Sequence, residues 1–227
     1  EVCYTDSLHR LVVMYGSVVK GMDRKELESV DLNKALSMYQ RAQGEPFPMA
    51  KAQVINAVEA VLKSWDNERA VFYRKMNNIR AEWGTACVIQ SMVFGNLNDN
   101  SGTGVLFTRD PDTGDGKILG EFLVNAQGED VVAGIKTPMK LEEMSNWNDS
   151  IYGELSDTVL KLEAAKGDVQ DVEFTIQDGK LYILQTRNAK RSARAALKIA
   201  LDMVDEGMIT AKQAAQRVKA RDLDLAQ

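Results

Sequence analysis

The segment Asp171-Val-Glu-Phe-Thr-Ile-Gln-Asp-Gly-Lys-Leu-Tyr-Ile-Leu-Gln-Thr-Arg187 reads as a β-hairpin: two alternating apolar and polar runs flank Asp178-Gly179, a turn signal. Alternation sets Val172, Phe174 and Ile176 on one face and Asp171, Glu173 and Thr175 on the other. What faces those carboxylates depends on the turn. A two-residue type I′ loop at Asp178-Gly179 puts Glu173 opposite Leu184 and sends Gln185 to the wrong face. A three-residue loop, Gln177-Asp178-Gly179 with Gly179 left-handed in a bulge, changes the parity. Asp171, Glu173, Gln185 and Arg187 then share one face. Two acids, an amide oxygen and a guanidinium gathered there suit a metal ion or a polyanion. Oxygen donors fit Mg²⁺ when phosphates complete its shell, and the guanidinium forks onto phosphate. The competing reading of the same residues is a solvated sheet face.

Outward from the hairpin, short apolar runs at Ala86 to Phe94, Gly104 to Thr108 and Ile118 to Val124 are expected to be further strands, with a helix from about Asn148 to Lys166. The first 80 or so residues carry helical spacing instead: Leu8, Leu11, Val12 and Tyr15, then Val54, Val58, Val61, Leu62 and Trp65. Pro48 falls where a first-turn proline is tolerated. After residue 190 the helical period returns, with Leu197, Ala200, Leu201 and Val204 on one face. Gly207 is a helix stop, and Thr210 with Gln213 forms a capping box for a last helix. The class is α+β, a mostly antiparallel sheet with helical flanks. Its parts are a helical subdomain (1–82), a sheet lobe bearing the site (83–190) and a C-terminal helical extension (191–227).

The 227 residues are 44% hydrophobic and 27% charged, a globular balance. A net charge of -5 opposes nucleic acid. No apolar run approaches the roughly 18 residues of a membrane span, and no signal peptide is visible. Cys3 and Cys87 lie far apart without metal-ligand spacing, which fits a reducing compartment, and Cys87 falls in an expected buried strand. The single histidine, His9, has no catalytic partner in sequence and reads as structural. Both ends read as if cut from something longer.

Two other stretches carry polar groups. Gly95 to Gly104, with glycines at 95, 102 and 104, is able to fold tightly around an anion or to serve as a plain loop. It lacks the lysine of a Walker loop and the spacing of a Rossmann turn. Gly120 to Gly134 brings two adjacent acids, Glu129 and Asp130, between apolar runs.

These stretches together resemble the pyruvate phosphate dikinase family. The residues carrying the likeness include Ser64-Trp-Asp66, Tyr73-Arg74, Gln90-Ser-Met-Val-Phe-Gly95, Ser101-Gly-Thr-Gly-Val105 and Phe107-Thr-Arg109. They continue through Asn125-Ala-Gln-Gly-Glu-Asp-Val-Val-Ala-Gly134, Thr137-Pro138, Glu173-Phe-Thr175, Leu184-Gln185, Arg187 and Asp205-Glu-Gly207. The resemblance implies an ATP-grasp-like domain in which ATP lies between two lobes. Its β-phosphoryl group passes to a histidine on a separate domain, with inorganic phosphate as co-substrate, giving AMP and pyrophosphate. That phosphohistidine then phosphorylates pyruvate to phosphoenolpyruvate. By position, Gln90, Met92 and Val93 line the adenine pocket, Thr103 and Gly104 belong to a loop closing on the phosphates, and Glu129 sits near the ribose. Glu173 and Gln185 hold Mg²⁺, Asp171 supports them, and Arg187 meets the transferring phosphoryl group. The likeness also favours the three-residue hairpin loop.

The family's first lobe, its phosphohistidine segment and its pyruvate barrel have no counterpart in these residues. The expectation is an incomplete enzyme, inactive alone, whose full-length form is a homodimer in the cytoplasm or an organelle. Its partners are ATP, phosphate and the phosphohistidine domain, with neither nucleic acid nor membrane. The alternatives are a phosphoenolpyruvate synthase-like dikinase and a non-catalytic module that keeps the fold. A hairpin face covered by another helix, with its acids salt-bridged, would favour the module.

Overall fold

The computed structural model describes residues 2–132 and 137–218. The last two residues of the Gly120 to Gly134 stretch and the end of the C-terminal extension lie outside the described residues. The chain divides into two compact units, residues 1–91 and 92–227.

The first unit is helical: α1 (Val2–Val18), α2 (Arg24–Glu28), α3 (Leu32–Gln43), α4 (Ala50–Lys63) and α5 (Glu68–Met76). Local chemistry sets several ends. Asp23, Asp31 and Asn67 each accept a backbone N–H in the first turn of α2, α3 and α5, and α3 stops at Gly44 with a left-handed φ of 71°. Val12, Val13, Leu27 and Ala35 form the buried centre, beside edge-to-face contacts of Phe47 with Tyr15 and Tyr39. His9 lies in this core's rim, where its Nε2 donates to the Leu27 carbonyl at 3.3 Å, a structural role. α4 differs from expectation: it buries no side chain within the chain, and Val54, Val61 and Leu62 are exposed. Pro48 lies before the N-cap Met49, outside the first turn, and its carbonyl accepts from Gln53 Nε2 at 2.6 Å.

The expected strand Ala86 to Phe94 does not form: those residues join no ladder among the described residues. An apolar run becomes a strand only where a partner edge receives it. Cys87 is therefore half-buried in irregular chain rather than buried in a strand.

The second unit is built on a five-stranded sheet, β1 (Gly102–Phe107), β2 (Leu119–Val124), β3 (Met139–Lys140), β4 (Gln170–Gln177) and β5 (Lys180–Asn188). Its order is β3-β2-β1-β4-β5, and every neighbour is antiparallel. The helices are α6 (Gly128–Val132), α7 (Met144–Lys166), α8 (Ala193–Asp205) and α9 (Ala211–Arg217). One sheet face is the core: Leu106, Phe122, Val172, Phe174 and Ile176 pack against Ile151, Leu155 and Val159 of α7. Fully burying a side chain such as Phe174 contributes about 2 kcal/mol. α7 begins four residues before Asn148, but Asn148 is non-helical (φ -158°, ψ 95°), and its Oδ1 caps Ile151 N at 3.1 Å.

α8 and α9 make a second core with Val169 and Ala189, reached by Phe107. The buried stripe of α8 is Ala195, Ile199, Ala200 and Met203, while Leu201, expected inside, is exposed. The loop at Gly114 packs closely on α8: a Cβ there would meet Lys198 Cβ at 3.0 Å and Ala195 Cα at 3.2 Å. Gly207 ends α8 at φ 72°, and the Thr210–Gln213 capping box starts α9.

Candidate functional site on the β4–β5 face

Lys180 pairs with Gln177, and the two residues between, Asp178 (φ 49°) and Gly179 (φ 77°), are both left-handed. The turn is the two-residue type I′ loop, so the three-residue loop expected from the resemblance is corrected. Neighbours hold it in that form: Asp178 N donates to Ser101 Oγ at 2.9 Å and Gly179 N to Asn100 O at 2.9 Å. Parity is restored further along. Ile183 pairs with Phe174 but Gln185 with Glu173, which leaves Leu184 as an extra, bulged residue. The expected face therefore forms by a different device.

Two rungs result, Glu173 opposite Gln185 and Asp171 opposite Arg187. Arg187 Nε donates to Asp171 Oδ2 at 2.7 Å and a terminal nitrogen lies 3.8 Å from Glu173 Oε1. The bond to Asp171 raises the affinity of the Arg187 guanidinium for its proton. Asp171 is nearly covered (15% side-chain exposure), whereas Glu173 (38%) and Arg187 (57%) reach solvent. Gln185 is exposed too. Other elements frame this opening. α6 joins Val105 and Leu123 on the β1–β2 side, and the α8–α9 core reaches Phe107, one rung beyond Val105 on the same face. Among the described residues, Glu173, Gln185 and Arg187 keep solvent-accessible side chains.

Two oxygen donors set side by side fit a divalent cation whose remaining ligands come from phosphates and water. A protein-only cage is another matter: no group of three or more His, Cys, Asp or Glu that would hold a metal lies among the described residues. Arg187, tethered to Asp171 but half in solvent, is placed to fork onto an anion beside such a cation.

The remaining expected site residues are placed differently. Thr103 and Gly104 lie in β1, not in a loop, and this corrects their expected location. The Thr103 hydroxyl donates to Phe174 O at 3.0 Å and meets Thr175 Oγ1 at 3.1 Å, so it is engaged inside the sheet. Gly104 serves packing: a Cβ there lies 2.5 Å from Glu121 O and 2.6 Å from Phe174 Cζ. The loop itself is residues 95–101, stapled by Ser101 N to Asn98 O, Trp147 Nε1 to Asp99 O and Asn98 Nδ2 to Asp178 Oδ1. That wiring makes it a hub for the hairpin turn. Met92 and Val93 lie in irregular chain just before it, Gln90 belongs to the first unit, and Glu129 is exposed in the first turn of α6.

Two features escaped sequence reading. Gln177 Oε1 accepts from Phe94 N at 2.7 Å. Arg109, read only as part of a motif, is buried between two carboxylates. It meets Glu163 at 2.9 Å and 3.0 Å and Glu206 at 2.6 Å and 2.9 Å, while Thr108 Oγ1 donates to Glu163 at 2.6 Å. The hydrogen bond that Arg109 donates to Glu206 is the largest cause that holds the Arg109 proton more tightly than usual. A charged residue in a buried strand end followed by Asp-Pro gave no periodic signal that would have exposed it.

Comparison with known families settles the chain's kinship. The pyruvate phosphate dikinase AMP/ATP-binding domain matches residues 47–146 and 135–208. The chain belongs to this family. It is 47% identical to the pyruvate, phosphate dikinase of Clostridium symbiosum over 244 residues, which cover 96% of this chain and 28% of that protein. It is 42% identical to the enzyme of that name from Rhizobium meliloti, covering 96% and 28%. The chloroplastic pyruvate, phosphate dikinase 1 of Zea mays is 43% identical, with 96% and 26% covered. The chain thus spans about a quarter of the length of the curated relatives it matches. Pyruvate phosphate dikinases are phosphotransferases, and the α+β architecture with its antiparallel sheet accords with the family's ATP-grasp type.

Proposed function

We propose that the chain is the ATP-binding portion of a pyruvate phosphate dikinase and that its nucleotide lies on the open β4–β5 face. The observation that carries this is the pair of rungs Glu173–Gln185 and Asp171–Arg187, gathered on a solvent-accessible sheet face in a family named for AMP and ATP binding. Glu173 and Gln185 hold Mg²⁺, which neutralises the phosphates when bound. Asp171 fixes the guanidinium of Arg187, and Arg187 carries the charge of the transferring phosphoryl group. Such transfer asks the protein chiefly for positioning and charge neutralisation.

In the whole enzyme ATP and inorganic phosphate give AMP and pyrophosphate, a histidine on a separate domain takes the β-phosphoryl group, and pyruvate then receives it. This chain does not supply that histidine. Its only one, His9, is hydrogen-bonded to the Leu27 carbonyl. Alone the chain binds nucleotide without completing the transfer, and the whole enzyme works as a homodimer in a reducing compartment such as the cytoplasm.

A paramagnetic probe tests the reading. Mn²⁺-ATP added to the isotope-labelled chain should broaden the Gln185 side-chain amide and the amides of residues 171–173 first. Broadening centred elsewhere would overturn the placement.

A further inference from the structure

Gln177 is the last residue of β4 on the open face, and its side chain leaves the hairpin to hold another segment. The Oε1 acceptor takes the N–H of Phe94 at 2.7 Å, across 83 positions of sequence. Residues 92–94 join no strand ladder among the described residues. One anchor is Ala126 N donating to Gly95 O at 3.0 Å. A Cβ at Gly95 would collide with the carbonyl oxygens of Ala126 and Gly102, so the chain runs there in close backbone contact. The other anchor is the Gln177 amide.

We infer that Gln177 is a positioning residue: it fixes the backbone of Met92, Val93 and Phe94 and thereby sets where the base of a bound purine nucleotide lies. The inference rests on the placement of the triphosphate over Glu173, Gln185 and Arg187 proposed above. Spacing supports it. Gln177 stands four residues from Glu173 on the same strand face, about 13 Å, the reach from a metal-bound phosphate to the base of an extended nucleoside triphosphate. Chemistry supports it as well. A backbone outside any ladder has N–H and C=O groups to pair with a base edge, and Met92 and Val93 bring apolar surface for its flat face. Gln177 acts through Phe94 because its oxygen is engaged there.

The test titrates the 227-residue chain and its Gln177→Ala and Gln177→Glu variants with Mg-ATP and with Mg-tripolyphosphate, which lacks a base. The Ala variant should lose roughly tenfold in ATP affinity and nothing for tripolyphosphate. The Glu variant should restore ATP binding, because a carboxylate oxygen still accepts from Phe94 N–H. Without ligand, the Phe94 amide proton should exchange slowly in the wild type and the Glu variant and fast in the Ala variant. An unchanged ATP-to-tripolyphosphate ratio in a folded Ala variant, equal losses for both ligands, or slow Phe94 exchange in that variant would overturn the inference. If the wild-type chain bound neither ligand, the nucleotide reading itself would fall, and this inference with it.

Discussion

Glu173 faces Gln185 across the β4–β5 ladder, although plain counting from the Asp178-Gly179 turn would pair Glu173 with Leu184. Leu184 is the surplus residue, and its bulge puts an amide where a leucine would otherwise stand. Bulges of this kind re-aim side chains beside binding sites.

Deleting Leu184 should therefore leave the pairing intact, since Leu181, Tyr182, Ile183, Gln185, Thr186 and Arg187 then alternate without a break. Stability should change by less than about 1.5 kcal/mol, because Leu184 is already 42% exposed. Cross-strand nuclear Overhauser contacts between residues 173 and 185 check the register. Their loss in a folded variant would show that the bulge, not alternation, holds it.

Gly104→Ala should act on stability before it acts on binding. The added methyl meets Glu121 O, Phe174 Cζ at 2.6 Å and Phe122 Cβ at 2.9 Å, and overpacking of this kind costs about 1–3 kcal/mol. The urea midpoint should fall, while ATP affinity of the folded fraction stays near wild type. A stable variant with lost affinity would return Gly104 to a direct phosphate role.

Arg109→Met should be among the most damaging single changes, about 3–5 kcal/mol, because it leaves Glu163 buried without its counter-charge. Arg109→Lys should not rescue it: one ammonium cannot offer two N–H groups to each of two carboxylates. Chemical denaturation of both variants gives the comparison.

Acid should weaken the same joint from its exposed side. The Arg109 hydrogen bond holds the Glu206 carboxyl below its ordinary value of 4.5. The unfolded chain thus binds that proton first, so the contribution is full above the ordinary value and fades as pH falls through the folded one. Glu206 is about half exposed, so the effect is small. The stability gap between wild type and Glu206→Gln should be flat near neutrality and narrow below about pH 4.5. A gap that persists at lower pH would contradict the assignment.

The parts of the fold governed by local chemistry were legible in sequence. The Thr210–Gln213 box and the Gly207 stop each depend on residues within a turn of one another. So was the alternation of β4, where one face is buried throughout and the other only at Thr175. The position of the parity change was not, because a bulge at Leu184 leaves no mark beyond one apolar residue too many. Gly102 and Gly104 looked like loop glycines, yet they lie in a strand where neighbouring chains approach too closely for a Cβ. Residues 86–94 have the composition of a strand yet join no ladder among the described residues, and only tertiary structure reveals that. The Gln177–Phe94 and Arg109–Glu163–Glu206 contacts span distances in sequence that no periodicity records.

Calorimetric titration of the chain with Mg-ATP, beside its Glu173→Ala and Arg187→Ala variants, bears on the whole reading at once. The account expects measurable binding by the wild type and a loss of tenfold or so in each variant, with the fold unchanged by circular dichroism. Equal affinity in all three proteins would place the nucleotide away from the β4–β5 face and contradict it.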